Sequence, residues 1–147
     1  MNVERASELA ARLLGGRRDA GGAPVIDHVQ RVAAVVPERA RVVAWLHEVF
    51  EYTTVSEEAL LDDGLSSAEL RALRLLTRAV ASRSDASYLA HVELIARAAG
   101  PGAELARTVK RADIADRMLN PAIRPNGWSP PYEKAFKMLR GEQADVP

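Results

Sequence analysis

The amino-acid sequence predicts an all-α, single-domain helical bundle. Apolar residues recur at helical spacing through almost every segment. Gly and Pro interrupt that periodicity where loops would join the helices. No stretch alternates apolar and polar residues as a half-buried strand would; the Val-Val pairs at 35–36 and 42–43 lie inside helical patterns. The 147 residues suit one domain. A chain of this size buries roughly 70% of its unfolded surface, so it needs neither disulfide nor metal to fold.

Each element follows in order. Residues 3–14 place Val3, Ala6, Leu9, Ala10, Leu13 and Leu14 on one helical face. Gly15-Gly16 and the Asp-Ala-Gly-Gly-Ala-Pro run at 19–24 make a loop. A short helix follows over 26–36. Pro37 suits the first position of the next helix, where the N–H it lacks would have no partner. That helix, over 38–51, carries Val42, Val43, Ala44, Trp45, Leu46, Val49 and Phe50; apolar nearly all round, it is the expected central element. Ser66-x-x-Glu69 is a capping-box pattern opening a helix to Arg78. A helix over 86–99 stops at Gly100-Pro101, and one over 102–119 stops at Asn120-Pro121. The Pro-rich stretch 120–131 is the expected long loop, and Ser129-Pro130 reads as N-cap and first-turn proline of a last helix through Arg140. Residues 1–141 then form the domain, and 142–147 a frayed tail.

Composition narrows the function. Twenty Lys and Arg balance twenty Asp and Glu, and net charge is zero. A general binder of nucleic acid or anionic membrane would need a large positive excess. Absence of Cys removes disulfides, thiolate zinc sites and thiol nucleophiles, and fits a reducing compartment. No apolar run approaches the ~20 residues of a membrane span. The first fourteen residues have acids among their apolar positions and no signal-peptide core. The expected location is the cytoplasm. The balance also hides segregation: 42–70 holds seven acids and no Lys or Arg, whereas 71–83 holds four Arg and no acid. Most of these charges are ordinary solvated helix faces. The acids beside His47 are the exception.

His47 and Glu48 are adjacent on the apolar helix, and Glu51 lies within one turn of both. Burying an imidazole and two carboxylates is costly without compensation. Either a divalent cation supplies it, His nitrogen and carboxylate oxygen being its usual ligands, or hydrogen bonds and partial exposure do. Lys110, Asp113, Asp116 and Arg117 share a second helical face. Ion pairing at i,i+3 and i,i+4 explains them; so does a role for Asp113 as a further ligand with Lys110 and Arg117 near a phosphate. His28 opens a helix and alone means little. His91 reads as a surface or packing residue.

Three stretches occur in order: Gly-Gly-Ala-Pro-Val-Ile-Asp-His at 21–28, Trp-Leu-His-Glu-Val-Phe-Glu-Tyr-Thr at 45–53 and Val-Lys-Arg-Ala-Asp-Ile-Ala-Asp at 109–116. Together they resemble the HD-domain superfamily of metal-dependent phosphohydrolases. The similarity is greatest to the RelA/SpoT-like alarmone hydrolases, including the small single-domain ones. That branch carries a basic pair, then Gly-x-Pro-Tyr-x-x-His, Leu-His-Asp-x-x-Glu-Asp-Thr and Val-Lys-x-Ala-Asp. The resemblance covers Leu9 to Leu119 and implies an all-helical bundle of the HD-domain type. It implies His28, His47, Glu48 and Asp113 as ligands of a divalent metal, manganese being the usual ion. It implies Glu51 as the acid that positions or activates water, with Tyr52 beside it at a catalytic position. Arg17, Arg18, Lys110, Asp116 and Arg117 would contact substrate, a small phosphorylated nucleotide such as (p)ppGpp.

Four positions depart from the branch pattern. Glu48 stands for the defining Asp, Tyr52 for the second acid of the Glu-Asp pair, Val25 for the Tyr of the glycine motif, and Arg117 for a late Asn that touches substrate. The sequence therefore supports two expectations. One is a metal-dependent phosphohydrolase; the other is an HD module that binds a nucleotide or a protein partner without hydrolysis.

Overall fold

A computed structural model describes residues 1–78, 83–122 and 124–141. The expected tail, 142–147, lies outside the described residues. The chain is all-helical: α1 Val3–Leu14, α2 Val25–Val35, α3 Glu38–Leu46, α4 Val49–Tyr52, α5 Glu57–Asp62, α6 Ser67–Leu76, α7 Asp85–Arg97, α8 Ala103–Leu119 and α9 Tyr132–Leu139. Among the described residues there is no strand, only an isolated antiparallel bridge between Arg18 and Pro24 that closes the glycine loop.

As the apolar pattern requires, α3 is central. It packs on α1, α2, α6 and α8, and buries Ala40, Val42, Val43, Ala44 and Leu46. Leu46 is fully enclosed, which stabilises the fold by roughly 1.5–3 kcal/mol relative to exposure. The capping box that opens α6 is present in both directions, Ser66 Oγ accepting from the Glu69 N–H and Glu69 accepting from the Ser66 N–H.

Four sequence expectations need correction. The helix expected over 38–51 is two helices, α3 and α4, with His47 and Glu48 at the break. His47 Nδ1 donates to the Ala44 carbonyl at 2.7 Å, which takes the acceptor that the Glu48 N–H would use in a continuous helix. Helix α5 was not expected, because only Leu60 on it is buried and it offers no apolar stripe; its one signal is Ser56, whose hydroxyl accepts from the Ala59 N–H. The last helix does not begin at Ser129-Pro130. Pro131 drives the residue before it away from helical backbone, so α9 starts only at Tyr132. Pro37 is an N-cap with extended backbone, one position before the first turn.

Gly102, the N-cap of α8, lies against the backbone of α6. Its φ is +83°, and a Cβ there would lie 2.2 Å from the Ala68 carbonyl oxygen. Only glycine combines that left-handed backbone with so close an approach.

Candidate metal centre

Three helices meet at a buried polar cluster. α2 brings His28 in its first turn, the α3–α4 break brings His47 and Glu48, and the middle of α8 brings Asp113. One ligand atom from each lies within 4.8 Å of all the others, and all four residues are buried. The two imidazoles meet edge-on, their centroids 5.3 Å apart. A divalent cation could be held here.

The histidines are oriented for it. His47 Nδ1 is committed to the Ala44 carbonyl, so Nε2 turns inward. It lies 3.2 Å from Glu48 Oε1 and 3.6 Å from Asp113 Oδ1, yet makes no hydrogen bond. A buried nitrogen without a partner, facing two carboxylate oxygens, suits a cation between them. His28 Nδ1 is 2.7 Å from Asp116 Oδ2, and its Nε2 is 2.7 Å from Asp113 Oδ1. Asp116 is held in turn by Arg31, whose Nε donates at 2.7 Å, and by Asn120 Nδ2 at 3.1 Å. Carboxylate–histidine pairs of this kind fix tautomer and ring orientation behind metal sites.

The electrostatics are those of a charged cluster out of water. Burial alone would lower the His47 pKa, but the negative carboxylates of Asp113 and Glu48 close to Nε2 outweigh it and carry it up to about 10. Burial would raise Glu48; His47 and Arg117 instead bring it down to about 2. Asp113 is held well below the ordinary carboxylate range, its burial outweighed by Lys110 and Arg117. Lys110 Nζ is 3.1 Å from Asp113 Oδ2. Arg117 donates from Nε to Asp113 Oδ1 at 3.0 Å and from its terminal nitrogen to Glu48 Oε1 at 3.3 Å.

A cavity of about 150 Å³ opens over the cluster, lined by His47, Glu48, Asp113, Glu51, Tyr52, Lys110 and Arg117. Glu51 is at the exposed edge; loss of water around its carboxyl and the charge of Glu48 raise its pKa. Tyr52 is half-buried, and burial together with the charges of Glu48 and Glu51 pushes its phenol upward. It stays a neutral hydrogen-bonding group where the pattern has an acid. A second cavity adjoins on the His28–Asp116 side and shares Asp19, Arg117, Arg124 and Tyr132 with the first.

The remaining expected residues fall elsewhere. Arg17 and Arg18 are exposed, and neither lines either of these cavities; Arg18 donates to the Gly22 carbonyl across its own loop. Asp116, assigned to substrate by motif, stands behind His28 and lines only the second cavity.

Sequence reasoning missed Arg78, Tyr88, Arg124 and Tyr132, which complete the first cavity. Tyr88 and Tyr132 meet edge-to-face at 5.8 Å, and Lys110 Nζ sits 5.5 Å from the Tyr88 ring centroid. The buried Tyr88 hydroxyl makes no hydrogen bond. These side chains come from separate elements and form no local pattern, so no motif marks them. No family model matches the chain, and no curated protein matches it either.

Proposed function

We propose that this chain is an HD-type metal-dependent phosphohydrolase acting on a small phosphorylated nucleotide, with manganese as the first ion to test and (p)ppGpp as the first substrate. The observation that carries this reading is the buried His28–His47–Glu48–Asp113 quartet, three of whose members, His47, Glu48 and Asp113, line a cavity together with Lys110, Arg78, Arg117 and Arg124. Nitrogen and oxygen donors under a cationic wall suit a cation and a phosphate meeting at one place. His28, His47, Glu48 and Asp113 would hold a divalent cation, which would supply a water whose pKa is lowered from roughly 15.7 toward ~7 and a Lewis acid for a phosphoryl oxygen. Glu51, with its raised pKa, takes the proton as the water oxygen bonds to phosphorus. The scissile phosphorus–oxygen bond then breaks, and its oxygen leaves with the electron pair. Lys110 and Arg78 offset the negative charge that gathers on the phosphoryl oxygens. Tyr88 and Tyr132 offer aromatic surface beside the phosphate end.

Metal analysis of the purified protein, followed by phosphate and pyrophosphate release from a nucleotide panel with Mn²⁺, tests the proposal. Bound metal and turnover are expected, with Glu51→Gln lowering kcat by about 10²-fold or more. No metal uptake and no release across the panel would sink it. Tyr52 supports a second reading, since a neutral phenol replaces an acid at the catalytic edge. A module that binds without cleaving would be stabilised thermally by the nucleotide and yield no product.

A further inference from the structure

Arg117 stands where the branch pattern has an Asn, and its contacts are unusual. It bonds to Asp113 Oδ1 and Glu48 Oε1. These are the oxygens that lie closest to His47 Nε2, and Asp113 Oδ1 is also the oxygen nearest His28 Nε2. Arg117 therefore grips the inward edge of the quartet. Lys110, by contrast, takes Asp113 Oδ2, the outer oxygen. A guanidinium cannot leave by losing its proton near neutral pH, because it stays charged in proteins. It can leave only by moving. The side chain keeps about a fifth of its surface exposed and lines both cavities, so there is room beside the cluster for it.

We infer that Arg117 is the built-in counter-ion of the Glu48–Asp113 pair, that it competes with a divalent cation for those oxygens, and that the displaced guanidinium becomes a ligand for an anion in the adjoining cavity. This deepens the proposed function and rests on the quartet being a metal site. A divalent ion among the four ligands neutralises both carboxylates and repels the guanidinium. A planar fork freed from two carboxylates is well shaped for phosphate oxygens. Metal and phosphate then favour one another. A ligand shifts such an equilibrium only through its different affinity for the two states, and by linkage each tightens the other by the same factor.

The test is calorimetric titration of Mn²⁺ into the full chain, with and without inorganic phosphate, for the unmodified protein, Arg117→Gln, Arg117→Lys and the double variant Arg117→Gln/His47→Ala. Arg117→Gln should bind Mn²⁺ alone about tenfold tighter, and the double variant should lose that gain. In the unmodified protein phosphate should tighten Mn²⁺ several-fold; in Arg117→Gln that enhancement should vanish. Arg117→Lys, whose ammonium cannot bridge both carboxylates, should fall between the two. It gives the same comparison if the Gln variant fails to fold. Equal Mn²⁺ affinity in the unmodified protein and the variants overturns the inference while leaving the metal site standing. Tighter Mn²⁺ with undiminished phosphate enhancement overturns the role as anion ligand. Absence of Mn²⁺ binding in every variant sinks the metal reading itself and this inference with it.

Discussion

His28 and His47 reach the cluster in different ways, and their second nitrogens set how each responds to mutation. The Ala44 carbonyl that aims His47 is backbone, so no side-chain substitution removes it. The Asp116 carboxylate that aims His28 can be removed singly. On the proposed function, Asp116→Asn keeps size and shape but weakens the hold on His28, and Mn²⁺ affinity falls about 10–100-fold by calorimetry. His91 behaves differently. It is half-buried and its Nε2 has no hydrogen-bond partner; burial, then the charges of Lys110 and Arg78, push it down to about 3. Between that value and the ordinary 6.5 the unfolded chain binds the extra proton, so stability falls as pH drops through this window, by at most about 1.4 kcal/mol per pH unit. In the metal-free chain His47 acts with the opposite sign: its contribution is complete below 6.5 and is lost as pH rises toward about 10. Urea midpoints should therefore peak near neutrality, and His91→Gln should flatten the limb between about pH 5 and 6.5. An unchanged limb would assign the loss to other groups. His47, Glu48 and Glu51 were legible in the sequence because one helical turn joins them. Tyr88 and Arg78 were not, because only the tertiary fold brings them to Asp113.

At the scale of elements, the helix periods were legible and the interruptions were not. A hydrophobic pattern marks which residues face inward, but α3 and α4 share a single apolar run, and the break at His47 comes from a side chain competing for one backbone carbonyl. The Pro-rich stretch was expected only as a loop. It supplies Arg124 and Pro130 to the first cavity and is tied to α7 by Trp128, whose indole N–H donates to Asp85 Oδ1 at 2.9 Å. Arg124 lies over the Trp128 ring, 5.9 Å from its centroid, so the indole also places a pocket cation. Trp128→Phe keeps an aromatic face and deletes the N–H donor. The lost hydrogen bond is worth about 0.5–1.5 kcal/mol. The expected result is a several-fold rise in nucleotide Kd with little change in far-UV circular dichroism. An unchanged Kd would mean that Arg124 holds its place without the tether.

The molecule as a whole gathers four charged groups of its buried cluster on α8. That helix carries Lys110, Asp113, Asp116 and Arg117: one of the four residues that could hold a metal ion, the carboxylate behind His28 and two of the cations of the cavity. The zero net charge of the chain thus conceals a local arrangement in which buried acids and cationic side chains meet along one face of one helix. What fixes α8 against the rest of the bundle is its packing on α2, α3, α6 and α9, and its entry point is pinned at Gly102. A side chain there meets two penalties at once. Positive φ costs a non-glycine residue roughly 1–2 kcal/mol. The Ala68 carbonyl, only 2.2 Å from the Cβ position, must also give way, and it belongs to the α6 backbone, which cannot rotate aside as a side chain can. Gly102→Ala should therefore destabilise the protein by about 2–4 kcal/mol, comparable to a core truncation such as Leu46→Ala. The two variants should differ in what else they change. Leu46→Ala leaves a cavity under α3 and should lower stability more than it lowers Mn²⁺ affinity measured on the folded fraction. Gly102→Ala shifts the start of the helix that bears Asp113 and should lower both together. Equal Mn²⁺ affinity in the two variants at matched stability would show that α8 is positioned by its core contacts rather than by its first residue.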